Sequence, residues 1–313
     1  MKKLLPLILA LALVFSLCAC AKTPAEPSAD PSAKPTDESA KPAGDAVAVG
    51  MSVSTLNNPF FVTLTDGAKA KATEMNVTLT VVDAGDDAAK QANDIDDLIA
   101  KKIAVLIVNP VDSDAIAPAV TAAKAAGIKV IAVDRAVNGE TVDCQIASDN
   151  VMGAKLAGEY LLELVGEKAK VAELEGVPGA SAAVDRGKGF HLAVDGKLDV
   201  VATQTANFNR EEGLTVTENI LQANGDIKGI FAHNDEMALG AVEAVASAKK
   251  DVIIIGFDAT DDAKAAVEAG TMAATVAQQP DLMGATAVEV AVKLAAGEKV
   301  EASMPVEVTL IKK

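Results

Sequence analysis

The feature that most constrains the fold is a regular alternation of apolar, β-rich runs with amphipathic helical stretches from residue 46 onward. Eleven runs are predicted to be strands, and several, such as 103–110, 128–135 and 252–258, are apolar almost throughout. Strands of this kind are covered by helices on both faces. The pattern predicts an α/β fold of doubly wound parallel sheets. Because eleven strands are too many for one small open sheet, we expect two domains.

Candidate helix starts mark the junctions between these strands and helices. Pro59, Asn150, Asn209, Asn234 and Pro280 each precede or open an amphipathic stretch. Asparagine caps the free backbone N–H groups of a first helical turn, and proline fits there because it has no N–H to leave unpaired. We therefore expect helices to begin at these positions.

The N-terminus has the pattern of an export signal. Its first 20 residues, MKKLLPLILALALVFSLCAC, combine a basic start with an apolar run of about 14 residues, which is typical of a secretory signal peptide and short for a membrane span. Leu17–Cys20 resembles the bacterial lipobox, whose last cysteine is lipidated. We expect residues 1–19 to be the signal peptide and Cys20 to carry the lipid; ordinary cleavage near Ala19 or Ala21 is the alternative.

Residues 20–45 are predicted to be a lipidated, disordered tether. They are rich in Pro, Ala, Ser and charged residues and cannot bury a core. The lipid is then the only expected membrane attachment, and the formal net charge of −16 disfavours nucleic acid and anionic lipid surfaces as partners. Cys144 is the only cysteine beyond this segment, and we expect it to be a buried apolar residue.

Polar and aromatic residues cluster where the predicted strands end. Ligands of open parallel sheets bind outside the carboxyl ends of the strands. Taken singly, an Asn, Ser or Asp at such a position usually caps the next helix. Taken together, the strand ends carry amides, carboxylates and guanidinium groups with little excess charge. They also carry four of the six phenylalanines that follow the signal peptide.

A small, neutral molecule rich in hydroxyls would match this set of groups. A sugar hydroxyl donates one hydrogen bond and accepts two, so it needs an acceptor such as Asp134 and a donor such as Arg135. The apolar C–H faces of a sugar ring lie flat on aromatic rings. We interpret Phe60 and Phe61 as one wall of the site and Phe208 as the other, with one of the adjacent pair also belonging to the core.

Several motifs together resemble the D-ribose-binding proteins of bacterial ABC importers, from about residue 46 to the end: STLNNPFF, AVDR, IASDN, GASAAVDRGKGF, FNR, FAHNDEMALGA, GFDAT and ATVAQQPD. The resemblance implies two Rossmann-like domains joined by a hinge of three crossovers, the type I periplasmic binding protein fold. It implies an N-terminal domain of residues 46–148 with 279–307 and a C-terminal domain of residues 149–278 with 308–313. Hinge positions would be Ser148, Gln278 and the stretch around Glu307.

The same resemblance implies the ligand and its contacts. The protein would be an extracytoplasmic, membrane-anchored lipoprotein on the cell surface or in the periplasm, a monomer without cofactor or metal. It would capture D-ribose by cleft closure and deliver it to an importer permease. His233 stands where this family commonly has Gln, and Val177 and Pro178 also depart from the pattern, which bears on pocket shape. The implied ribose contacts are Asn58, Phe60, Phe61, Asn109, Asp134, Arg135, Ser148, Arg186, Phe208, Asn234, Phe257, Asp258 and Gln278.

Other functions remain as alternatives. Allose, xylose or a furanosyl signalling molecule could replace ribose as the ligand.

An enzyme is disfavoured because no Ser, Cys or His has a nucleophile signature and no Gly-rich phosphate loop follows the first strand. A sugar-responsive regulator would need a basic helix-turn-helix ahead of the core, where this chain has a signal and an acidic tether. No EF-hand spacing occurs and two histidines do not make a transition-metal site, so no metal is expected.

Overall fold

Twelve strands and nine helices alternate along residues 46–313, the part of the chain that this computed structural model describes. The predicted signal peptide, Cys20 and the tether lie outside the described residues. The strands are β1 (Ala48–Val53), β2 (Thr78–Asp83), β3 (Val105–Val108), β4 (Lys129–Val133), β5 (Cys144–Ser148), β6 (Lys170–Glu175), β7 (Asp199–Thr205), β8 (Gly229–Ala232), β9 (Ile253–Asp258), β10 (Ala274–Ala277), β11 (Ser303–Val306) and β12 (Thr309–Lys312). The helices are α1 (Pro59–Glu74), α2 (Ala88–Ala100), α3 (Ala117–Ala125), α4 (Asn150–Val165), α5 (Ser181–Val194), α6 (Arg210–Ala223), α7 (Asp235–Ala248), α8 (Asp261–Ala269) and α9 (Pro280–Ala295).

The strands form two six-stranded sheets, each of which is the centre of one lobe. The sheet of the N-terminal lobe has the order β11-β5-β4-β3-β1-β2, and that of the C-terminal lobe has the order β12-β10-β9-β8-β6-β7. The chain passes from one lobe to the other at three places: between β5 and α4, between β10 and α9, and between β11 and β12. The predicted α/β fold with two doubly wound sheets is confirmed.

The C-terminal segment differs from the sequence prediction. The last of the eleven apolar runs, residues 306–312, predicts a single strand, but the chain forms two, β11 in the N-terminal sheet and β12 in the C-terminal sheet. β11 is a four-residue edge strand that contains Pro305, and an edge tolerates proline because one side of the strand is unpaired. β12 runs antiparallel to β10, so the expectation of entirely parallel sheets is wrong for this strand.

The continuous apolar runs are explained by two cores on the two faces of each sheet. In β3, Val105 and Ile107 contact the core that includes α1 and α9, whereas Leu106 and Val108 contact the core beneath α2 and α3. Successive side chains of a strand point to opposite faces, so a strand buried on both faces needs apolar residues at every position. Cys144 was predicted to be a buried apolar residue, and this is confirmed: it is fully buried and forms no disulfide.

The predicted helix starts are confirmed, with one difference in detail. Asn209 and Asn234 accept backbone hydrogen bonds as caps of α6 and α7. At α4 the cap is Asp149, and Asn150 is the first helical residue, which leaves its side chain available for another partner. None of the helices between residues 46 and 313 is long and apolar enough to cross a bilayer.

Candidate functional site

A small cavity lies between the carboxyl ends of the two sheets. Ten of the thirteen implied contact residues line it, and Ala182, which sequence reasoning missed, completes the wall. The lining consists of Asn58, Phe60, Phe61, Asp134, Arg135, Ala182, Arg186, Phe208, Asn234, Asp258 and Gln278.

The other three implied contacts, Asn109, Ser148 and Phe257, do not line the cavity. Asn109 is fully buried, and its Nδ2 donates a hydrogen bond of 3.1 Å to Asp134 Oδ2. The ring of Phe257 lies under the guanidinium of Arg186, with its centre 3.9 Å from Cζ. Ser148 ends β5 at the first passage between the lobes. Two of the three therefore support residues that line the cavity.

Four charged side chains of the lining balance one another. Asp134 and Arg135 come from the N-terminal lobe, Arg186 and Asp258 from the C-terminal lobe, and none is more than 6% exposed. Burial raises the pKa of Asp134 and raises that of Asp258 well above its ordinary range, and the nearby arginine charges oppose the rise. With two groups of each sign, the lining suits a neutral polar ligand better than an ion.

Phenylalanine rings from both lobes flank the guanidinium of Arg135. Its Cζ lies 5.3 Å from the ring centre of Phe61 and 5.4 Å from that of Phe208, within the range of cation–π contacts. Phe60 and Phe61 are edge to face at 5.2 Å, and both also contact the N-terminal core. Phe60 and Phe61 therefore belong both to the N-terminal core and to the wall of the cavity.

The guanidinium of Arg186 is held on three sides. Its Nε donates to Asn150 Oδ1 at 2.8 Å, and its Nη1 donates to the carbonyl oxygen of His233 at 2.6 Å. The Phe257 ring covers one face. Because Asp149 caps α4, the Asn150 side chain is available for this contact. Sequence reasoning did not identify Asn150 as a support of Arg186, since a helix-start asparagine is usually a cap.

Both histidines of the chain contact one buried carboxylate, Glu173. His233 Nε2 lies 2.9 Å from Oε1 of Glu173, and His191 Nε2 lies 3.1 Å from Oε2. His191 Nδ1 lies 2.7 Å from Asp195 Oδ1. Burial alone would lower the pKa of His191, but its contacts with Asp195 and Glu173 outweigh burial and raise it. No sequence signal pointed to Glu173, because it lies within a buried strand.

Three atoms of cavity-lining side chains have no hydrogen-bond partner among residues 46–313: Asp134 Oδ1, Arg135 Nε and Gln278 Oε1. They are two acceptors and one donor. A buried polar atom left unpaired costs about 1–3 kcal/mol, so these atoms are complementary to a ligand that both donates and accepts hydrogen bonds. The same part of the chain contains no group of three or more side chains suited to hold a metal ion.

Direct hydrogen bonds join the two lobes beside the cavity. The N–H of Ser113 donates to the carbonyl oxygen of Gly179 at 3.0 Å, and the N–H of Ser181 donates to Ser113 Oγ at 3.2 Å. The N–H of Ala136 donates to Ser181 Oγ at 2.8 Å. The cavity is therefore bounded by loops of both lobes that contact each other directly.

Comparison with known proteins agrees with this geometry. A family model described as a periplasmic binding protein domain matches residues 49–299. The chain is 46% identical over 301 residues to the ribose import binding protein RbsB of Bacillus subtilis, and the match covers 96% of each chain. It is 48% identical over 268 residues to the ribose import binding protein RbsB of Escherichia coli, covering 85% of this chain and 90% of the relative. An ABC transporter periplasmic solute binding protein from Actinobacillus succinogenes with bound D-allose has a TM-score of 0.79 and 33% identity, covering 85% of this chain and 97% of that one.

Proposed function

The chain belongs to the periplasmic binding protein family, and on this premise we propose that it binds D-ribose between its lobes and delivers the unchanged sugar to an ABC importer. Relatives that cover most of the chain are ribose import binding proteins, and the protein is a binding component of transport rather than an enzyme. The family places its working location outside the cytoplasm.

The observation that carries the proposal is the set of unpaired atoms on the side chains that line a charge-balanced cavity. Asp134 Oδ1 and Gln278 Oε1 offer acceptors, and Arg135 Nε offers a donor. A ring hydroxyl can satisfy one of each, and the phenylalanine rings supply flat apolar surface for the C–H face of a pyranose or furanose ring. An anion would lack a counter-charge, and an apolar ligand would leave these atoms unpaired.

We assign direct sugar contacts to the ten predicted residues that line the cavity and indirect roles to Asn109 and Phe257. Asn109 orients Asp134, and Phe257 supports Arg186. Ser148 is assigned to the hinge rather than to the sugar, because it does not line the cavity and ends the strand before the first passage between lobes.

The domain layout of the proposal follows the sheets. Residues 46–148 with 279–307 form one domain, and residues 149–278 with 308–313 form the other, with hinges near Ser148, Gln278 and Glu307. A sugar that contacts both domains binds the closed arrangement better than the open one, and this difference in affinity drives closure. We propose that the protein does this as a monomer.

The ligand assignment is tested by titration calorimetry with a panel of pentoses and hexoses, followed by recovery of the sugar. We expect ribose to bind most tightly and to be recovered unchanged. D-allose is included as a competitor, because a solved relative of 33% identity holds it. Tighter binding of allose, xylose or a furanose than of ribose would overturn the ribose assignment, and a chemically altered sugar would overturn the binding function.

Membrane attachment is proposed to depend on a lipid at Cys20. The support is the Leu17–Cys20 motif after an apolar run and before a tether. Replacing Cys20 with Ala should release the processed protein into the soluble or secreted fraction with sugar binding unchanged. Retention of the processed variant in the membrane after alkaline washing would show that another feature anchors the protein.

A further inference from the structure

We propose that Asp235, which does not line the cavity, is a positioning residue that aims the carboxylate of Asp258 at the sugar. The inference rests on the proposed function, because it assigns Asp258 to the sugar site. Asp235 is the first residue of α7 and is completely buried. It acts through Thr260 and Thr275, which hold the turn that follows β9.

The turn after β9 has a backbone conformation that needs support. Asp258 has a φ of 128° and Ala259 a φ of 59°, and L-residues rarely adopt either value. Two consecutive residues in such regions persist only when the surrounding structure holds them. The turn points the Asp258 side chain to the cavity, where its Oδ1 accepts a hydrogen bond of 2.7 Å from Gln278 Nε2.

Asp235 supplies that support through three hydrogen bonds. Its Oδ2 accepts from the N–H of Thr260 at 2.8 Å and from the hydroxyl of Thr260 at 3.2 Å. Its Oδ1 accepts from the hydroxyl of Thr275 at 2.7 Å. Thr275 Oγ1 in turn accepts from the N–H of Ala259 at 3.2 Å. Residues 259 and 260, directly after Asp258, are therefore both tied to the Asp235 carboxylate.

The neighbouring strand leaves room for this carboxylate. Gly256, two residues before Asp258 in β9, has no side chain, and a Cβ built there would collide with Asp235 Oδ1. The N-terminus of α7 also favours a carboxylate at its first residue. Burial raises the pKa of Asp235 to about 7, and the hydrogen bonds from Thr275 and Thr260 oppose the rise. Burial of the Asp235 carboxylate is therefore unfavourable by itself, and the residue does not line the cavity, so its hydrogen bonds to the turn are its main contacts.

An amide does not reproduce this network in full. Both threonine hydroxyls donate their only proton to Asp235, and each accepts one backbone N–H, from Ala259 and Ala263. In the better orientation of an asparagine, its oxygen accepts from Thr260, and its NH₂ group faces Thr275, whose hydroxyl loses its acceptor. Thr275 Oγ1 can still accept from the N–H of Ala259, but its hydroxyl no longer donates to residue 235, so the link that holds the turn is altered at unchanged side-chain volume.

A double-mutant cycle on ribose affinity tests the inference. We expect Asp235→Asn to weaken ribose binding about tenfold or more when Asp258 is present, and less than about threefold in the Asp258→Asn background. A role in general stability would lower affinity equally in both backgrounds. Equal effects in both backgrounds, or no effect of Asp235→Asn, would overturn the positioning role.

Thr275 provides a second pair of variants in case Asp235→Asn does not fold. Thr275→Val removes the hydroxyl at nearly constant volume, and Thr275→Ser keeps it. We expect the valine variant to lose affinity, the serine variant to recover most of it, and the difference between them to vanish in the Asp258→Asn background. A difference that persists without Asp258 would contradict the proposal.

The control is Asp143→Asn, a carboxylate that accepts from the N–H of Val130 at 2.9 Å at the amino end of β4, away from the cavity. This variant should lower the midpoint of thermal unfolding and leave ribose affinity unchanged. If it weakened ribose binding, loss of a carboxylate anywhere in the protein would reduce affinity through lower stability, and the effect of Asp235→Asn would not be specific. If wild-type protein does not bind ribose, the proposed function fails, and the cycle is run with the panel sugar that does bind. Absence of binding to every sugar of the panel would overturn both.

Discussion

The guanidinium of Arg186 lies 3.7 Å from the carboxylate of Asp258, measured from Nη1 to Oδ1, so the two opposite charges are close but do not share a hydrogen bond. Both side chains are held by other groups, Arg186 by Asn150 and His233 and Asp258 by Gln278. Their positions are therefore fixed by neighbouring protein groups. A polar ligand that inserts between such groups avoids much of the cost of ordering them.

The first prediction concerns Arg135, which is 2% exposed and carries the unpaired Nε. Arg135→Ala should weaken ribose binding by about ten- to a hundredfold, corresponding to roughly 1.5–3 kcal/mol for a hydrogen bond to a charged donor. Titration calorimetry measures the loss. Lys101→Ala, which removes an exposed cation at the end of α2, is the control and should leave affinity unchanged. Unchanged affinity of the Arg135 variant would remove this residue from the site.

The second prediction compares two glycines, of which only Gly176 contacts the ring of Phe208. A Cβ on Gly176 would collide with the ring of Phe208, whereas a Cβ on Gly187, inside α5, would meet only ordinary contacts at 3.5 Å or more. Gly176→Ala should therefore displace the Phe208 wall and weaken ribose binding at least tenfold. Gly187→Ala should keep the affinity and stabilise the protein by about 0.5–1 kcal/mol, because alanine favours a helix interior.

Ribose affinity and the midpoint of urea unfolding of the two glycine variants are measured side by side. Equal affinity of both variants for ribose would show that the position of Phe208 does not govern the site. A loss of affinity in the Gly187 variant would instead show that α5 tolerates no added methyl group, contrary to the distances around it.

The residues at strand ends were predictable from the sequence because parallel sheets bring the carboxyl ends of their strands to one edge. Asp134, Arg135 and Asp258 follow apolar runs directly, so both their neighbourhood and their type could be inferred. Ala182 and Asp235 could not, for different physical reasons. An alanine in a helix carries no chemical signal, and an acid at a helix start has the pattern of an ordinary N-terminal acid.

The supporting layer escaped prediction because it depends on contacts between segments distant in sequence. Glu173 and His233 are separated by 60 residues, and their contact requires the pairing of β6 with β8. Likewise, β11 joins the N-terminal sheet only because a neighbouring strand, β5, has an unpaired edge that accepts a short, proline-containing segment. Periodicity along one segment reports which face is buried, but not which partner covers it.

The third prediction concerns pH and His191. The pKa of His191 is raised in the folded state, so folding binds its proton more tightly than the unfolded chain does. The stabilisation is complete below the unfolded value of about 6.5 and is lost as pH rises through the higher folded value. The free energy of unfolding of wild type should therefore exceed that of His191→Asn most at pH 6, and this difference should shrink at pH 9.

Urea unfolding of wild type and His191→Asn at both pH values checks the His191 prediction. A stability difference that is equal at pH 6 and pH 9 would mean that His191 contributes through neutral hydrogen bonds rather than through its charge. Lys264→Ala, which removes an exposed ion pair with Asp261, is a control for general charge effects and should shift little at either pH.

The last prediction concerns closure around ribose. Ribose at about a hundred times its dissociation constant should stabilise the folded protein by roughly 2.7 kcal/mol, which for a chain of this size raises the melting midpoint by about 5–10 °C. The radius of gyration from X-ray scattering should fall as well, because the lobes contact each other directly through Ser113, Gly179 and Ser181 when the cavity is closed. Deoxy sugars that lack one ribose hydroxyl should lose most of both effects, since a buried acceptor such as Asp134 Oδ1 stays unpaired. If another sugar stabilises and compacts the protein while ribose does neither, the site binds a sugar by closure, but that sugar is not ribose.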